Sequence, residues 1–431
     1  MKKRILLISG EAWRNESNGG NVLTNLFESF TDDYEFAQIY TNPALPSNNI
    51  CFNYFHLSEA EMIRSAVKKR SFGKILVQEQ LKAKVKTTDV LTNNKFRFIK
   101  KFFLNTAYFV QDLLWRSSKW KSLELERFIK EYNPDIIFAP MYYGIHLHRL
   151  DRYVAELTNK KLVSYVSDDH LTYKHFSLSP FFWINRVILR ANVKKTSKYY
   201  SLLYTMTQEQ LNEYQPVLKV PMKVLKKAGD FEIKPVYNYS KEKPITLFYG
   251  GNLIYNRYKT LARLAEVIKQ LNQEKLNFKL IIATQTPITD KINQLLNDGK
   301  NCIIVGKLNS SQMQDYYQSS DIVLHVESFD LQQKLVTRLS FSTKIIDLLS
   351  TGRCVIAICW KESSPYKYLK SEDAAICINN LNSIKSELEK LKENPKLLEE
   401  YANKAWDCGQ RNHQKKNVSA IFRNDLESLI V

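Results

Sequence analysis

The segment LSFSTKIIDLLSTGRCVIAI, residues 339–358, carries a cation at a position that favours anions. Its apolar spacing predicts a helix that starts after Ser342, a common capping residue type, and ends before Gly352. Lys344 falls in the first turn, where it opposes the helix macrodipole by about 0.3–1 kcal/mol. A bound anion would reverse that sign, because free N–H groups at a helix start bind phosphate. A surface lysine turned away from the dipole is the alternative, and for this segment alone it is the simpler one.

A second helix start earlier in the chain is also rich in cations. The apolar run 245–249 predicts a strand, and Arg257 and Lys259 lie where the next helix begins, again against the macrodipole. The loop between strand and helix opens with Gly250, Gly251 and Asn252. Glycines let a backbone approach a ligand closely, although an ordinary tight turn explains them as well. Two such units in one domain indicate a diphosphate held between them.

Polar residues also follow two predicted strands in the first half of the chain. The loop EAWRNESNGG ends in Gly19-Gly20 and precedes a predicted helix at 21–30, so it is either a backbone-approach site or a flexible loop. The strand at 162–166 leads into Asp168 and His170, whose carboxylate and imidazole can orient hydroxyls or act in acid–base chemistry. Turn formation and helix capping are the alternative roles, and for any single residue they are commoner.

The elements that position these residues repeat along the chain. Continuous apolar runs, typical of strands covered on both faces, alternate with amphipathic helices, which predicts parallel sheets with ligands beyond the strands' carboxyl ends. The predicted strands are 5–9, 135–139, 162–166, 201–205, 245–249, 278–283, 302–305, 322–326, 354–358 and 375–378. The alternation restarts near residue 245, so the polar segment 226–244 predicts a boundary between two doubly wound domains that face a cleft.

Composition limits the class of protein. A chain of 431 residues suits two domains of roughly 200 residues each. The net charge of +19 favours anionic partners, namely nucleic acid, an anionic membrane or phosphorylated small molecules. The six cysteines show neither CxxC nor zinc spacing, and no apolar run of about 18 residues occurs. We therefore expect a cytoplasmic protein with reduced thiols, no metal, no signal peptide and no membrane span.

Residues 60–130 break the pattern because they are rich in Lys and Arg. The part KFRFIKKFFLNTAYFVQDLLWRSSKWK, residues 95–121, interleaves bases with aromatic residues. Either a helix that docks on an anionic membrane surface or a core-facing helix with solvated bases fits this pattern. Nucleic-acid binding is a weaker interpretation, since no known binding motif accompanies the bases.

The chain resembles glycosyltransferase family 4, the large GT-B group also described as glycosyl transferases group 1. The second half carries the specific motifs, which are FYGGNLIYNR (248–257), IIVGKL (303–308), SSDIVLHVESFD (319–330) and STKIIDLLSTGRCVIA (342–357). The first half is similar more faintly, in ILLISG, the Gly19-Gly20 pair, PDIIFAP (134–140) and KLVSYVSDD (161–169). The resemblance implies a GT-B fold of two Rossmann-like domains.

The resemblance also implies roles for individual residues. Arg257 and Lys344 correspond to the family's phosphate-binding basic pair, with Lys259 a close candidate for the former. The implied donor site further contains the loop amides of Ser342 and Thr343 beside the diphosphate, Asp347 on the ribose, and Gly306 and Lys307 around the base. In the first domain, Gly20 and Asp168 fall near positions that touch donor phosphate or acceptor.

The sequence departs from the family pattern at the paired glutamates. Eight residues before Asp347 stands Leu339, which has no carboxylate for sugar hydroxyls, and Glu327 is the expected substitute. The first-domain histidine position is occupied by Ser167, with His170 nearby. Because no DxD motif is present, two cations are expected to replace a metal.

These observations together predict a hexosyltransferase-like enzyme. The donor is a nucleotide sugar such as a UDP-sugar, no cofactor is needed, and the acceptor is a glycan, a lipid-linked molecule or a protein. Catalysis is assigned to Arg257, Lys344, Asp168 and His170. Retention of configuration follows from the resemblance. The basic-aromatic stretch 95–121 suits a lipid-linked acceptor at the inner membrane face, and with it a peripheral role in cell-surface polysaccharide or glycoconjugate synthesis. There are two alternatives. One is a nucleotide-sugar epimerase of GT-B architecture. The other, which Leu339 favours, is a catalytically degenerate partner subunit of another transferase.

The expected domains are residues 1–235 for the acceptor, with the basic insertion at about 60–130, and residues 236–410 for the nucleotide sugar. Residues 411–431 are expected to form a helix that crosses back to the first domain, as is usual in this architecture.

Overall fold

The chain forms two compact units in the computed structural model. The structure describes residues 2–76, 94–237, 239–240 and 242–430, with the backbone alone for residues 18 and 94–104. Unit 1 comprises the described residues of 1–225 and 419–431, and unit 2 comprises those of 226–418. Part of the predicted insertion, residues 77–93, lies outside the described residues.

Unit 1 is built on a mainly parallel sheet. Its strands are β1 Lys3–Ser9, β2 Tyr34–Tyr40, β3 Asn53–His56, β4 Lys74–Leu76, β5 Ile136–Pro140, β6 Leu162–Val166, β7 Tyr200–Thr205 and β8 Met222–Val224. They are ordered β4-β3-β2-β1-β5-β6-β7-β8. Only the β3–β4 pair is antiparallel among the described strands. The continuous apolar runs are buried on both faces, as parallel strands covered by helices require.

The helices of unit 1 cover that sheet. They are α1 Asn18–Phe27, α2 Glu59–Lys68, α3 Asn94–Ser117, α4 Leu123–Tyr132, α5 Ile145–Thr158, α6 Pro180–Ser197 and α7 Gln208–Leu218. The final helix, α16 Lys415–Glu427, contributes Phe422, which packs against Phe27 and Phe138 at centroid distances of 5.3 and 5.9 Å. Residues from both ends of the chain therefore share one core.

Unit 2 has a second parallel sheet. Its strands are β9 Ile245–Gly250, β10 Phe278–Ala283, β11 Cys302–Gly306, β12 Ile322–Val326, β13 Cys354–Ile358 and β14 Ile376–Ile378. Its helices are α8 Arg257–Leu271, α9 Asp290–Leu296, α10 Ser310–Ser319, α11 Leu331–Thr337, α12 Lys344–Leu349, α13 Ser364–Ser371, α14 Ile384–Glu393 and α15 Lys396–His413. The order β11-β10-β9-β12-β13-β14 places a topological switch between β9 and β12, where such sheets bind ligands.

Helix α3 contains most of the basic-aromatic stretch. Near the end of α3, Trp115 is buried. Asp112 is also buried and pairs with Arg149 and Arg116 at 2.6 and 3.0 Å, so this part of the helix packs against the rest of unit 1. Several aromatic and basic residues of the stretch 95–121 have side chains that lie outside the described residues, among them Phe98, Phe102, Phe103, Lys100 and Lys101. Within the described ranges, no helix combines the length and apolar character needed to span a bilayer.

Candidate functional site

The switch point of unit 2 lies where β9 and β12 end side by side. Strand β9 ends at Gly250, and the chain enters α8 at Arg257; β12 ends at Val326 and is followed directly by Glu327. The register Ile322 with Leu247 and Val323 with Phe248 aligns the two strands. Residues from both loops therefore meet at the carboxyl edge of the sheet, as the strand order predicts.

Packing accounts for the glycine pair after β9. A Cβ on Gly250 would lie 2.4 Å from Met313 Cε, and one on Gly251 would lie 2.7 Å from the Tyr249 hydroxyl. That hydroxyl donates to the Asn252 carbonyl at 2.8 Å and holds the turn closed. A larger residue at either position would force these side chains to move, so packing accounts for the two glycines without a ligand.

The backbone just before α8 is strained. Tyr255 and Asn256 have φ of 58° and 61°, in the left-handed region that non-glycine residues rarely adopt. The Asn256 side chain donates to Asp330 at 2.7 Å, and Lys259 reaches the same carboxylate at 2.7 Å. Strain of this kind persists only where surrounding contacts hold it, and it is frequent at functional sites.

Arg257 makes a two-point ion pair with Glu327. Its Nη2 and Nε donate to the two carboxylate oxygens at 2.8 and 3.1 Å, and the Glu327 side chain is 6% exposed. The Glu327 backbone is fixed by Ile358 and by the Thr260 hydroxyl. Burial raises the pKa of Glu327, while the charge and hydrogen bonds of Arg257 act in the opposite direction. Glu327, which was expected to contact the donor sugar, therefore orients Arg257.

Lys344 lies beside this pair. Its Nζ donates to the Gly250 carbonyl at 2.9 Å, although the residue as a whole is exposed. Desolvation of the ammonium group, and then the charge of Arg257, lower the pKa of Lys344, and Asp347 acts in the opposite direction. The structure therefore brings together the two cations predicted from separate motifs. Lys259, the second candidate for Arg257, is instead tied to Asp330.

His325 lies buried next to the same charges. Its Nε2 is 3.8 Å from a Glu327 oxygen and has no hydrogen-bond partner in the described part of the chain. Burial, followed by the charges of Arg257 and Lys344, lowers the pKa of His325 to about 3. The imidazole is therefore neutral at physiological pH. Nothing in the local sequence marks His325, because it falls inside an otherwise apolar strand.

The remaining residues of the predicted donor site have their own local geometry. Asp347 pairs with Lys227 at 2.8 Å. Helix α12 starts at Lys344 with Thr343 as its capping residue, one position later than the predicted cap Ser342, and no side-chain cap bond forms. Gly306 has φ of 77°, which favours glycine, and open space beside its Cα, and Lys307 is exposed next to it. Leu339 is buried.

In unit 1, the predicted residues serve the local fold. A Cβ on Gly20 would lie 2.0 Å from the Arg14 carbonyl oxygen, so the helix start requires glycine. The Asp168 carbonyl accepts from Gln210 at 3.1 Å. His170 is buried, its Nδ1 has no partner within the described ranges, and burial lowers its pKa while Asp168 opposes that shift.

An unpredicted ion pair holds the loop around His170. Buried Arg186 contacts Asp169 Oδ1 at 3.0 Å and donates to the Asp169 and Thr172 carbonyls. Burial would raise the pKa of Asp169, but hydrogen bonds from His175 and Thr172 and the charge of Arg186 lower it overall. Local patterns do not reveal this pair, because Arg186 sits on a helix seventeen residues away.

Comparison with known protein families gives one match. Residues 244–394 match the family described as glycosyl transferases group 1. The match extends from β9 to α14 and includes Arg257, Glu327, Lys344 and Asp347. The predicted resemblance to this group, and to a glycosyltransferase enzyme, is confirmed at this level, whereas assignment to family 4 within it stays a prediction.

Comparison with solved structures extends to the whole chain. Sucrose-phosphate synthase from Thermosynechococcus elongatus is similar with a TM-score of 0.63 and 13% identity, covering 99% of both chains. Anabaena Alr3699/HepE in complex with UDP gives 0.61 and 11% identity over 100% of both chains. The UDP-forming trehalose-phosphate synthase from Burkholderia vietnamiensis gives 0.58 and 10%, covering 99% of this chain and 100% of that one. The predicted GT-B fold is confirmed. No curated protein matches the chain.

Proposed function

We propose that this chain transfers a sugar from a nucleoside diphosphate sugar to an acceptor. The observation that carries the proposal is the convergence of Arg257 and Lys344 at the switch point of a glycosyl transferases group 1 domain. The cations Arg257, Lys344 and Lys227 face the two carboxylates of Glu327 and Asp347, so positive charge is in excess. A diphosphate bound there relieves the repulsion between Arg257 and Lys344.

In this proposal, the two cations act on the leaving group. Negative charge grows on the diphosphate as the glycosidic bond to the donor breaks, and fixed cations stabilise that charge without a metal. Asp347 accepts hydrogen bonds from the ribose hydroxyls, and the amides of Ser342 and Thr343 contact the diphosphate. The loop that contains Gly306 and Lys307 surrounds the base. Uracil is the proposed base, because the names of two similar structures include UDP.

The acceptor side of the proposal is broader. A glycan, a lipid-linked molecule or a protein is the proposed acceptor, with Asp168 and His170 of unit 1 as the residues proposed to orient its hydroxyl. Retention of configuration is proposed from the family resemblance, and a role in cell-surface polysaccharide or glycoconjugate synthesis is proposed from the basic-aromatic stretch 95–121. Buried Leu339 favours a second candidate, a partner subunit that binds donor without turning it over.

Calorimetric titration of the full chain with UDP tests the donor site. We expect Lys344→Ala to weaken UDP binding by about 10- to 100-fold, since a charge-assisted hydrogen bond contributes about 1.5–3 kcal/mol. Lys259→Ala is the matched control, because Lys259 also lies in the first turn of a helix, α8, but pairs with Asp330, and its loss should change affinity by less than about threefold. Equal affinities in the wild type and an Arg257→Ala, Lys344→Ala double variant would refute the site.

A nucleotide-release assay with a panel of nucleotide sugars then separates the candidate activities. Release that requires an added acceptor supports transfer. Conversion of the donor to its epimer, with neither net nucleotide release nor an added acceptor, identifies an epimerase, and tight UDP binding without turnover identifies the partner subunit.

A further inference from the structure

Helix α6 of unit 1 buries its polar side and exposes an apolar one. Five of its seven buried residues are polar. These are Asn185, Arg186, Asn192, Thr196 and Ser197. Arg186 is satisfied by Asp169, Asn185 donates to the Asn105 carbonyl at 2.6 Å, and Asn192 accepts from Arg152 at 3.1 Å. The inward face is therefore a paired polar network, the reverse of an ordinary surface helix.

The outward face of α6 begins with three large apolar residues. Phe181, Ile184 and Val187 follow a three-residue spacing, which places them on one side of the helix, and all three are exposed. The segment that leads into the helix adds Phe176 and Leu178, with Leu178 90% exposed. Single exposed apolar residues are common, but five in a row on one loop and helix face form a patch, and such patches mark interaction sites.

This patch continues onto the neighbouring helices. Phe181 lies 6.0 Å, ring to ring, from Phe109 of α3. Beyond it, α2 and α3 enclose an apolar groove of about 350 Å³ lined in part by Ile63, Tyr108 and Val110. These three residues are also exposed. The apolar surface is therefore shared by three helices of unit 1.

Charge identifies the partner. Residues 171–207 contain six Lys or Arg and no Asp or Glu. The exposed face of α6 continues from its apolar half into Lys194 and Lys195, and Lys198 follows directly after the helix. An apolar face that ends in cations matches the boundary between lipid tails and anionic headgroups. A partner protein would need an equally long acidic and apolar surface, so a bilayer is the simpler complement.

We propose that the loop 176–179 and the exposed face of α6 dock on an anionic lipid bilayer. Phe176, Leu178, Phe181, Ile184 and Val187 enter the boundary between headgroups and acyl chains, and the three lysines contact anionic headgroups. This surface adjoins the predicted contact through 95–121 and replaces it in part, because Tyr108 and Val110 of α3 are exposed beside it while Trp115 and Asp112 are buried. It stands independently of the proposed transferase activity.

Vesicle cosedimentation of the full chain tests the proposal. The wild type should bind vesicles of phosphatidylglycerol and phosphatidylcholine and should bind pure phosphatidylcholine vesicles much more weakly. Lys194→Ala with Lys195→Ala should lower the partition coefficient about thirtyfold. Leu178→Glu with Val187→Glu should lower it more than about tenfold. All four positions are exposed, so these variants should fold normally.

Ile421→Glu is the matched control, because Ile421 is equally apolar and exposed in unit 1 but lies on α16. It should leave vesicle binding unchanged. UDP affinity, measured by calorimetry, should be the same in all variants, which separates this proposal from the donor site. The proposal would be overturned if the wild type did not bind vesicles or bound neutral vesicles equally well. It would also be overturned if the chain formed a concentration-dependent dimer that the Leu178→Glu, Val187→Glu variant dissociates while vesicle binding persists.

Discussion

Replacement of Glu327 by Gln isolates the charge that holds Arg257. The carboxylate accepts two hydrogen bonds from the guanidinium, and the pair is buried except for 18% of the Arg257 side chain. Gln keeps one acceptor oxygen and presents an amide donor to the other N–H, so one bond is lost and the cation loses its counter-charge. Removal of one partner of a buried pair costs about 3–5 kcal/mol. Because Arg257 is partly exposed, we expect a loss of about 2–3 kcal/mol in the free energy of unfolding.

Urea denaturation of the full chain, with and without UDP, measures this loss. Asp330→Asn is the control, since its ion pair with Lys259 lies nearby but is exposed and should contribute less than about 1 kcal/mol. UDP carries no sugar, and its diphosphate can replace the missing counter-charge, so UDP should stabilise the Glu327→Gln variant more than the wild type. Equal unfolding free energies for Glu327→Gln and Asp330→Asn would refute the reasoning. If UDP leaves the difference in unfolding free energy between Glu327→Gln and the wild type unchanged, the result would instead support the sugar-binding role of Glu327 predicted from the sequence.

Two further predictions concern single residues. Because the pKa of Lys344 is lowered and its protonated form binds the diphosphate, UDP affinity should fall as pH rises, beginning below the range of an ordinary lysine, and Lys344→Arg should flatten this dependence in calorimetric titrations at increasing pH. Gly20→Ala should destabilise the chain by about 2–3 kcal/mol in urea denaturation, since its Cβ would overlap the Arg14 backbone. Gly19→Ala, whose Cβ would meet only the end of the Glu11 side chain, should change stability by less than about 0.5 kcal/mol, and equal effects would contradict the packing argument.

The fold was predictable wherever strands form continuous apolar runs. Strands β6, β10, β12 and β13 match the predicted bounds, because parallel strands buried on both faces tolerate few polar residues. Strand β2 was missed because Gln38 interrupts its run. That side chain is fully buried and is satisfied by the Trp13 amide and the Ser9 hydroxyl. The edge strands β4 and β8 have three residues each, which is too short for periodicity to register.

The candidate site was predictable where local rules apply. Lys344 and Arg257 were noticeable because each opposes the dipole of the helix it begins, a property of a few neighbouring residues. The hydrogen-bond partners of these two cations could not be predicted from local sequence. Glu327 lies 70 residues from Arg257 in the chain, and Gly250, whose carbonyl accepts from Lys344, lies 94 residues from it. The inverted face of α6 was hidden for the same reason. In the sequence its polar residues have the pattern of a solvent-exposed face, and only the fold brings Asp169 and Arg152 into contact with them.

The pairing of Glu327 has a consequence for how a donor sugar would be recognised. Glu327 was expected to contact sugar hydroxyls in place of Leu339, which is buried and apolar, but each oxygen of Glu327 accepts a hydrogen bond from Arg257. In the proposed site, a sugar hydroxyl that displaces one of these charge-assisted hydrogen bonds does so at a cost of about 1.5–3 kcal/mol. Since the usual carboxylate is absent at Leu339 and its expected substitute already binds Arg257, we expect selectivity among hexoses to be weaker than selectivity for the diphosphate.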